Sequence, residues 1–352
     1  YAERFGASGL EVGLLFASFS LAQLVCAPLL GRLSDRIGRK PVIMISLLGT
    51  AVGSFVTGAA GTLWVLFLGR ILDGASGASV AVAQGAVTDL APPSERPRLL
   101  GLLGAAFGVG FVVGPALGGL ASLGGEHLPF FVAGTVALIN ASVAWFRLPE
   151  TRPARVRDEA RTHSSQGSSA KIRLWGLALT GFTAIVAFSG FEATFSLLAG
   201  NRFNLTEGGI AAIFVGIGAV LVVVQGILIA PINAKLGTQR SLQIGLVLNS
   251  VGLIILAFAE SWSILIVALA LLTVGQGLVA PNLSTLVSGR VPDHRRGEAL
   301  GFQQGVNAIG RVSGPALAGV LYDHVSIGSP YLVGGALCAL ALLFAVGVGE
   351  QE

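Results

Sequence analysis

Four charged side chains lie inside otherwise apolar stretches, where an unused charge would be costly. Arg70 and Asp73 stand three residues apart in GRILDGASGA, while Glu192 lies in SGFEATF and Arg311 in AIGRVSGP. An acid in a medium of low dielectric holds protons more firmly than in water, which a proton carrier requires. Asp73 and Glu192 are therefore candidate proton carriers, with Arg70 and Arg311 beside them. The simpler alternatives are a self-neutralising Arg70–Asp73 pair and a Glu192 that snorkels or pairs with Arg311.

A second group of charges forms a short polar connection between two apolar stretches. The string GRLSDRIGRK, residues 31–40, contains one acid and four cations. Its glycines, Gly31 and Gly38, suit either close helix approach or the unusual backbone angles of a tight connection. The alternative is a solvated turn whose ion pairs contribute little to stability.

A third string, GFVVGPALGG, is rich in glycine and contains one proline. Its spacing predicts close contact with a neighbouring helix, and the proline removes one backbone hydrogen bond, so we expect a kinked packing seam. The residues concerned are Gly110, Gly114, Pro115, Gly118 and Gly119.

Long apolar elements must position these residues. The 352-residue chain is 53% hydrophobic and only 11% charged, with a mean hydropathy of +0.80, and these charges are too few to cover a water-soluble domain. The apolar stretches can cross a hydrocarbon core of about 30 Å as helices, and they lack the alternation of a membrane barrel. The sequence therefore predicts an all-α polytopic membrane protein. Eleven spans are expected, over residues 11–31, 41–60, 63–91, 97–123, 128–148, 173–200, 207–234, 240–259, 262–290, 297–322 and 329–348.

The two halves of the chain are related in sequence. Residues 101–120 align with residues 301–320 with eight identities and a shared GPAL core. We predict an N-terminal bundle over 1–148, a polar linker over 149–172 and a C-terminal bundle over 173–352. The span at 173–200 has no partner in the first half, so the expected parent has two pseudo-symmetric bundles of six helices, with its first helix missing from this sequence.

The arginines and lysines indicate an orientation. Eighteen of the 22 lie in alternate loops, which by the positive-inside rule places those loops and the C-terminus in the cytoplasm of a multi-pass inner (plasma) membrane protein. Such loops also explain the basic linker, so nucleic-acid binding is not expected. The two cysteines fall within spans and indicate no redox chemistry.

Three of these strings resemble motifs of the major facilitator superfamily. GRLSDRIGRK is similar to its GxxxDRxGRR signature, GRILDGASGA to its RxxxGxxxA motif and GFVVGPALGG to its antiporter motif GxxxGPxxGG. The resemblance covers essentially all spans and is nearest to the tetracycline and multidrug exporters with twelve spans. The family plan implies two six-helix bundles with a substrate site near the midplane.

The resemblance implies a cytoplasmic gate. In this family Asp35 and Arg39 would form a charge network with an acid at the inner end of the next motif helix, where Asp89 stands. The gate residues carried over are Gly31, Asp35, Arg36, Gly38, Arg39 and Asp89. The second half departs from this pattern, because APINAKLG places Ala234 where Asp35 would align.

The family resemblance also indicates which helices line the cavity. Their few polar groups and several aromatic rings suit amphiphilic ligands better than sugars, which need many paired polar groups. The candidate cavity residues are Gln23, Gln84, Phe107, Phe111, Phe188, Gln225, Asn282, Gln303 and Asn307. Packing against a helix or lipid also explains any single phenylalanine.

The resulting hypothesis is export of lipophilic or amphiphilic drug-like molecules in exchange for protons by alternating access. The alternatives are uptake or facilitated transport of a small metabolite, and a non-transporting receptor or scaffold. No enzyme activity, metal or cofactor is expected, because no catalytic or metal-ligand cluster is apparent. The expected partners are a small-molecule substrate, protons and the lipid bilayer, and the expected state is a monomer.

Overall fold

The computed structural model describes residues 5, 9–77, 79–92, 94–151, 169–205 and 207–349. All long elements in these ranges are α-helices. They are α1 (Gly9–Ile37), α2 (Arg39–Gly58), α3 (Leu63–Ser76), α4 (Ser79–Leu90), α5 (Arg96–Ser122), α6 (Leu128–Arg147), α7 (Ser169–Phe203), α8 (Glu207–Val223), α9 (Ile229–Leu236), α10 (Thr238–Ala257), α11 (Trp262–Gly289), α12 (Arg296–His324) and α13 (Ser329–Gly349). A π-helix, Val224–Leu228, joins α8 to α9, and a 3₁₀ turn, Asp293–Arg295, precedes α12.

Each of the eleven predicted spans coincides with helix, which confirms the all-α membrane fold. Two spans are interrupted: α3 and α4 share the span at 63–91, and the π-helix divides the span at 207–234. Eight stretches of the described residues are long and apolar enough to cross a membrane. These are Arg39–Gly58, Leu63–Leu90, Leu128–Arg147, Trp175–Phe203, Ala212–Leu236, Thr238–Ala257, Trp262–Gly289 and Ser329–Val346.

The internal repeat extends to backbone detail. A Cβ atom on Gly53 would meet the carbonyl oxygen of Gly69, and one on Gly252 would meet that of Ala268, each at 3.0 Å. The same offset of 199 residues relates Gly38 to Gly237, which join consecutive helices with φ of 113° and 79°. Those angles lie in the left-handed region, which other residues rarely adopt. The glycines at both joints therefore permit a connection of a single residue.

Contacts between residues divide the chain into two compact units. Unit 1 comprises residues 1–90, 113–167 and 291–309, and unit 2 comprises residues 91–112, 168–290 and 310–352. Helices α5 and α12 are each shared between the units. The division at 149–172 stays a prediction, and linker residues 152–168 lie outside the described residues.

Each unit has its own apolar core. In unit 1, Ala27, Val42, Ile43 and Val82 form one buried cluster. In unit 2, a larger cluster surrounds the fully buried Phe191, Phe195 and Tyr331. Burial of aromatic side chains of this size supplies much of the packing energy of such a core.

Candidate functional site

The carboxylate of Asp35 caps the beginning of α12. Its Oδ1 accepts a hydrogen bond from the backbone N–H of Gly297, and its Oδ2 accepts one from Glu298, each at 3.0 Å. The first N–H groups of a helix have no partner within the helix and carry partial positive charge, so a carboxylate there stabilises the helix end. Asp35 therefore ties the end of α1 to the start of α12.

Arg39 lies at the centre of the same cluster. Its side chain is 0% exposed, and its guanidinium contacts Asp35 Oδ1 at 2.9 Å and Asp89 Oδ2 at 2.8 Å. It also donates to the Ser34 hydroxyl at 2.6 Å. Charge-assisted bonds of this length are the strong class, and in a dry site each partner depends on the others to offset its lost hydration.

Arg296 completes the cluster from the first turn of α12. Its Nη1 lies 3.7 Å from Asp89 Oδ1 and donates to the Thr88 carbonyl at 3.2 Å, and its Nη2 reaches Asp293 at 2.5 Å. Two buried acids, Asp35 and Asp89, therefore face two guanidinium groups. We call Asp35, Arg39, Asp89 and Arg296 the buried ion cluster.

The helices around the buried ion cluster approach closely at glycines. A Cβ atom on Gly31 would overlap the Gly297 carbonyl, and one on Gly301 would overlap the Ala27 carbonyl. A Cβ atom on Gly85 would lie 2.9 Å from Arg39 Cζ. The prediction of close approach at Gly31 is confirmed, and the prediction of an unusual backbone angle holds at Gly38.

An exposed pair lies at the rim of the cluster. Arg32 Nη2 contacts Glu298 Oε1 at 2.6 Å, and the Arg32 side chain is 52% exposed. The hydrogen bond from Arg32 to this carboxylate raises the pKa of Arg32, with the charge of Glu298 acting in the same direction. Because water screens such a pair, its contribution to stability is small.

Four of the predicted gate residues meet in this cluster, while sequence reasoning missed several others. Gly31, Asp35, Arg39 and Asp89 come together as described, and Gly38 forms the joint between α1 and α2. Arg36 is half-buried on α1, and its Nε has no partner among the described residues. The missed participants are Ser34, Gly85, Glu150, Arg296, Gly297 and Glu298. Glu150 accepts the N–H groups of Arg39 and Lys40 at 2.9 and 3.2 Å, so it caps α2.

The first pair of mid-span charges lies on α3. Arg70 Nη1 is 3.5 Å from Asp73 Oδ2, and the two side chains are 28% and 22% exposed. The Arg70 Cζ also lies 4.5 Å from the centre of the Phe19 ring on α1. The pair is therefore looser and less buried than the buried ion cluster, and the Phe19 ring stabilises the Arg70 cation further.

The second pair of mid-span charges lies in unit 2. The charges of Glu192 on α7 and Arg311 on α12 act on each other, yet no ion pair within 4.0 Å joins them in the structure. Arg311 is exposed, and its Cζ lies 5.9 Å from the centre of the Phe107 ring on α5. Three helices thus contribute to this group.

Comparison with known proteins identifies the family. The model of the Major Facilitator Superfamily matches residues 1–246 and 226–350. The chain belongs to the major facilitator superfamily. It is 31% identical to the tetracycline resistance protein, class B, of Escherichia coli, over 89% of this chain and 79% of the relative. It is 29% identical to multidrug resistance protein 2 of Bacillus subtilis (strain 168), over 95% of this chain and 85% of the relative.

A solved structure of the same superfamily has a similar fold. The crystal structure of the human organic anion transporter MFSD10 (TETRAN) superposes with a TM-score of 0.84 and 26% sequence identity. The match covers 95% of this chain and 83% of that chain. The fold and the relatives together establish a multi-pass membrane protein of the superfamily that includes the tetracycline and multidrug resistance proteins.

The glycine-rich string on α5, residues 110–119, does not form the predicted packing seam among the described residues. A Cβ atom built on Gly110, Gly114 or Gly118 would have no described atom within 4 Å. The prediction of close helix contact at these three glycines is therefore wrong for this structure, because spacing creates a smooth helix surface without specifying what faces it. Nothing is described of the side chain of Pro115 or of the surroundings of Gly119, and α5 continues as helix through both.

The candidate cavity residues divide into buried and accessible groups. Asn282 is fully buried and accepts a hydrogen bond from Asn233 at 2.7 Å. Phe188 packs against the core of unit 2. Phe107 is 59% exposed, whereas the side chain of Phe111 lies outside the described residues.

The glutamines and Asn307 leave hydrogen-bonding capacity unused. Gln23 donates to the Gly77 carbonyl at 3.1 Å, and Asn307 donates to Gln304 at 3.4 Å. The side-chain oxygens of Gln23, Gln225, Gln303 and Asn307 are buried without a partner among the described residues. Gln84 is half-buried on α4. A buried oxygen without a donor is costly, so these are places where a ligand or water donor would be stabilising.

Proposed function

We propose that this chain exports lipophilic or amphiphilic drug-like molecules in exchange for protons, by alternating access. The substrate class rests on the relatives, whose names are tetracycline and multidrug resistance proteins. The mechanism rests on how the charges of the chain are distributed. One set is dry and locked, and the mid-span set is looser and partly accessible.

The buried ion cluster is the observation that carries this proposal. Asp35, Arg39 and Asp89 are almost completely inaccessible, and they connect α1, α2 and α4 to the start of α12. Such a cluster is stable only while all partners are present, because each isolated charge would remain poorly hydrated. Separation of α12 from α1 must break both bonds to Asp35 at once. A switch between two discrete arrangements is therefore favoured over gradual opening, and this is the behaviour that a gate requires.

Coupling to protons is proposed to involve Asp73 and Glu192. Each acid lies in a span, and each interacts with a single arginine, Arg70 or Arg311, that is also partly accessible. Protonation of either carboxyl removes one negative charge from its pair and leaves the arginine unbalanced. The free energy of the empty carrier would then depend on which side of the membrane supplies the proton.

Reconstituted vesicles test this function. Purified protein is placed in proteoliposomes that contain a pH-sensitive dye, and tetracycline or ethidium is added under an imposed proton gradient. Antiport predicts drug movement driven by the gradient and abolished by an uncoupler. Drug flux that is unchanged by the uncoupler would indicate facilitated transport instead, and no flux for any tested compound would favour the receptor or scaffold alternative.

The variant Asp35→Asn tests the role of the cluster in transport. The amide cannot accept both N–H groups of α12 with a full negative charge, so we expect transport to fall by at least about tenfold while membrane insertion is retained. Asp323→Asn is the matched control, because Asp323 is an exposed acid on the last turn of the same helix, α12. Full export by Asp35→Asn would contradict the gate.

A further inference from the structure

Arg311 is an exposed cation within a predicted span. The Phe107 ring of α5 lies beside its guanidinium, and both residues belong to unit 2. A charge within a span is costly unless a partner or a ligand offsets it. The groups that can do so at Arg311 therefore decide what this part of unit 2 binds.

The guanidinium of Arg311 has spare binding capacity. No hydrogen bond or ion pair to it appears among the described residues, and Glu192 balances its charge only from beyond 4.0 Å. An arginine offers five N–H donors in a planar fork that matches a carboxylate or sulfonate. The analogous Arg70 differs, because its acid lies within contact distance on the same helix.

An aromatic surface lies beside these donors. The Phe107 ring is 59% exposed, and its centre lies 5.9 Å from Arg311 Cζ. An exposed phenylalanine next to a cation offers one face for a flat apolar body and positions that body so that an attached anion reaches the guanidinium.

We propose that Arg311 and Phe107 form a recognition site for amphiphilic organic anions, in which the anionic group pairs with Arg311 and a planar apolar body packs on Phe107. The proposal rests on the proposed function in taking Arg311 and Phe107 as part of the substrate site. Glu192 is a competitor in this site, because its carboxylate offsets the positive charge that attracts the ligand.

Binding of three matched probes to the full chain in detergent tests the proposal. The probes are 2-naphthoate, its uncharged amide and the cation 2-naphthylmethylammonium, measured by isothermal titration calorimetry. A charge-assisted pair contributes about 1.5–3 kcal/mol, so naphthoate should bind about 10- to 100-fold more tightly than the amide. Equal binding of the three probes, preference for the cation, or no binding by any of them would overturn the proposal.

Variants assign the preference to its residues. Arg311→Gln should bind naphthoate and the amide with equal affinity, without a loss of affinity for the amide. Arg311→Lys should retain part of the preference for naphthoate. Glu192→Gln should tighten naphthoate binding several-fold by removing the competing charge. Size exclusion and thermal unfolding show whether Arg311→Gln folds. If it does not, Arg311→Lys and Glu192→Gln test the site in its place. A preference for naphthoate over the amide that is unchanged in both variants contradicts the site.

The binding assay is independent of transport. It uses no proton gradient and no vesicle, so failure of proton exchange leaves its outcome intact. Anion preference without proton-driven flux would refute the proposed function and retain this site. Proton-driven flux without anion preference would support the proposed function and refute this site.

Discussion

The two halves of the chain use the same backbone contact with opposite chemistry. In unit 1, Gly301 of α12 lies against the carbonyl of Ala27, and in unit 2 its repeat equivalent Gly101 lies against the carbonyl of Gln225. We call these the charged seam and the uncharged seam. The charged seam contains the buried ion cluster. At the corresponding places of the second half stand Ala234, Thr238 and Ser288, so all three charges are absent together.

The joint loss of these charges follows from their mutual dependence. Removal of one member of a dry ion cluster leaves its partners uncompensated, whereas removal of all of them is close to neutral. The departure of the second half from the charge pattern at Ala234 is consistent with this, but the close contact itself persists. Gly104 still lies against the Gln225 side chain, and packing there replaces charge. One seam therefore depends on ions, and the other on shape alone.

The largest difference between the seams should follow removal of the central arginine. Arg39→Met leaves Asp35 and Asp89 in a dry site without a guanidinium between them, so we expect a loss of about 3–5 kcal/mol in unfolding free energy. Thr238→Val at the equivalent place in the second half should change it by less than about 1 kcal/mol. Chemical unfolding in detergent micelles measures both. Similar losses in the two variants would contradict the comparison.

A smaller effect, shared by both seams, should follow from adding one methyl group. Gly301→Ala and Gly101→Ala each force a Cβ against a carbonyl oxygen, and such overpacking costs about 1–3 kcal/mol. Gly110→Ala is the control, because its Cβ would meet open space, and helix propensity favours alanine by about 1 kcal/mol. Thermal unfolding monitored by tryptophan fluorescence should show a lower unfolding midpoint for Gly301→Ala and Gly101→Ala, but not for Gly110→Ala. A tolerated Gly101→Ala would mean that the uncharged seam is not a close contact.

The smallest effect should come from the rim of the charged seam. Glu298→Gln removes the ion-pair partner of the half-exposed Arg32 and of Arg295, and exposed pairs contribute about 0.2–1 kcal/mol each. The difference between this variant and the parent should shrink further in high salt, because screening weakens exposed pairs. The difference caused by Arg39→Met should persist under the same conditions, since the cluster excludes solvent. A large, salt-independent effect of Glu298→Gln would mean that the Arg32–Glu298 pair is part of the buried ion cluster and is not screened by solvent.

The sequence predicted the parts of the structure that depend on residue type and period. The length of the apolar stretches predicted every span. The family motif predicted that Asp35, Arg39 and Asp89 would form one charge network. The sequence also indicated an unusual backbone angle at Gly38, because glycine takes such angles without strain, while the equivalent joint at Gly237 was recognised only in the structure.

Other parts of the site could not be predicted because no residue type encodes them. Asp35 binds the backbone N–H groups of Gly297 and Glu298, and every residue except proline has such a group. The glycines of α5 gave the opposite error, since their spacing indicated contact where the structure has open space. A small side chain permits close approach, but only the opposing surface decides whether it occurs.

The π-helix at Val224–Leu228 determines which way the preceding helix faces. The π-turn at this place contains about one more residue than an α-turn. In an α-helix, each residue corresponds to a rotation of about 100° around the helix axis. The side chains of α8 therefore face about 100° away from the directions that an uninterrupted α-helix continued from α9 would give them. Deletion of one residue here would return the five-residue segment to a regular α-helix and leave all seventeen residues of α8 facing as they do now. Deletion of one residue within α8 itself would instead turn the part of α8 before it by about 100°.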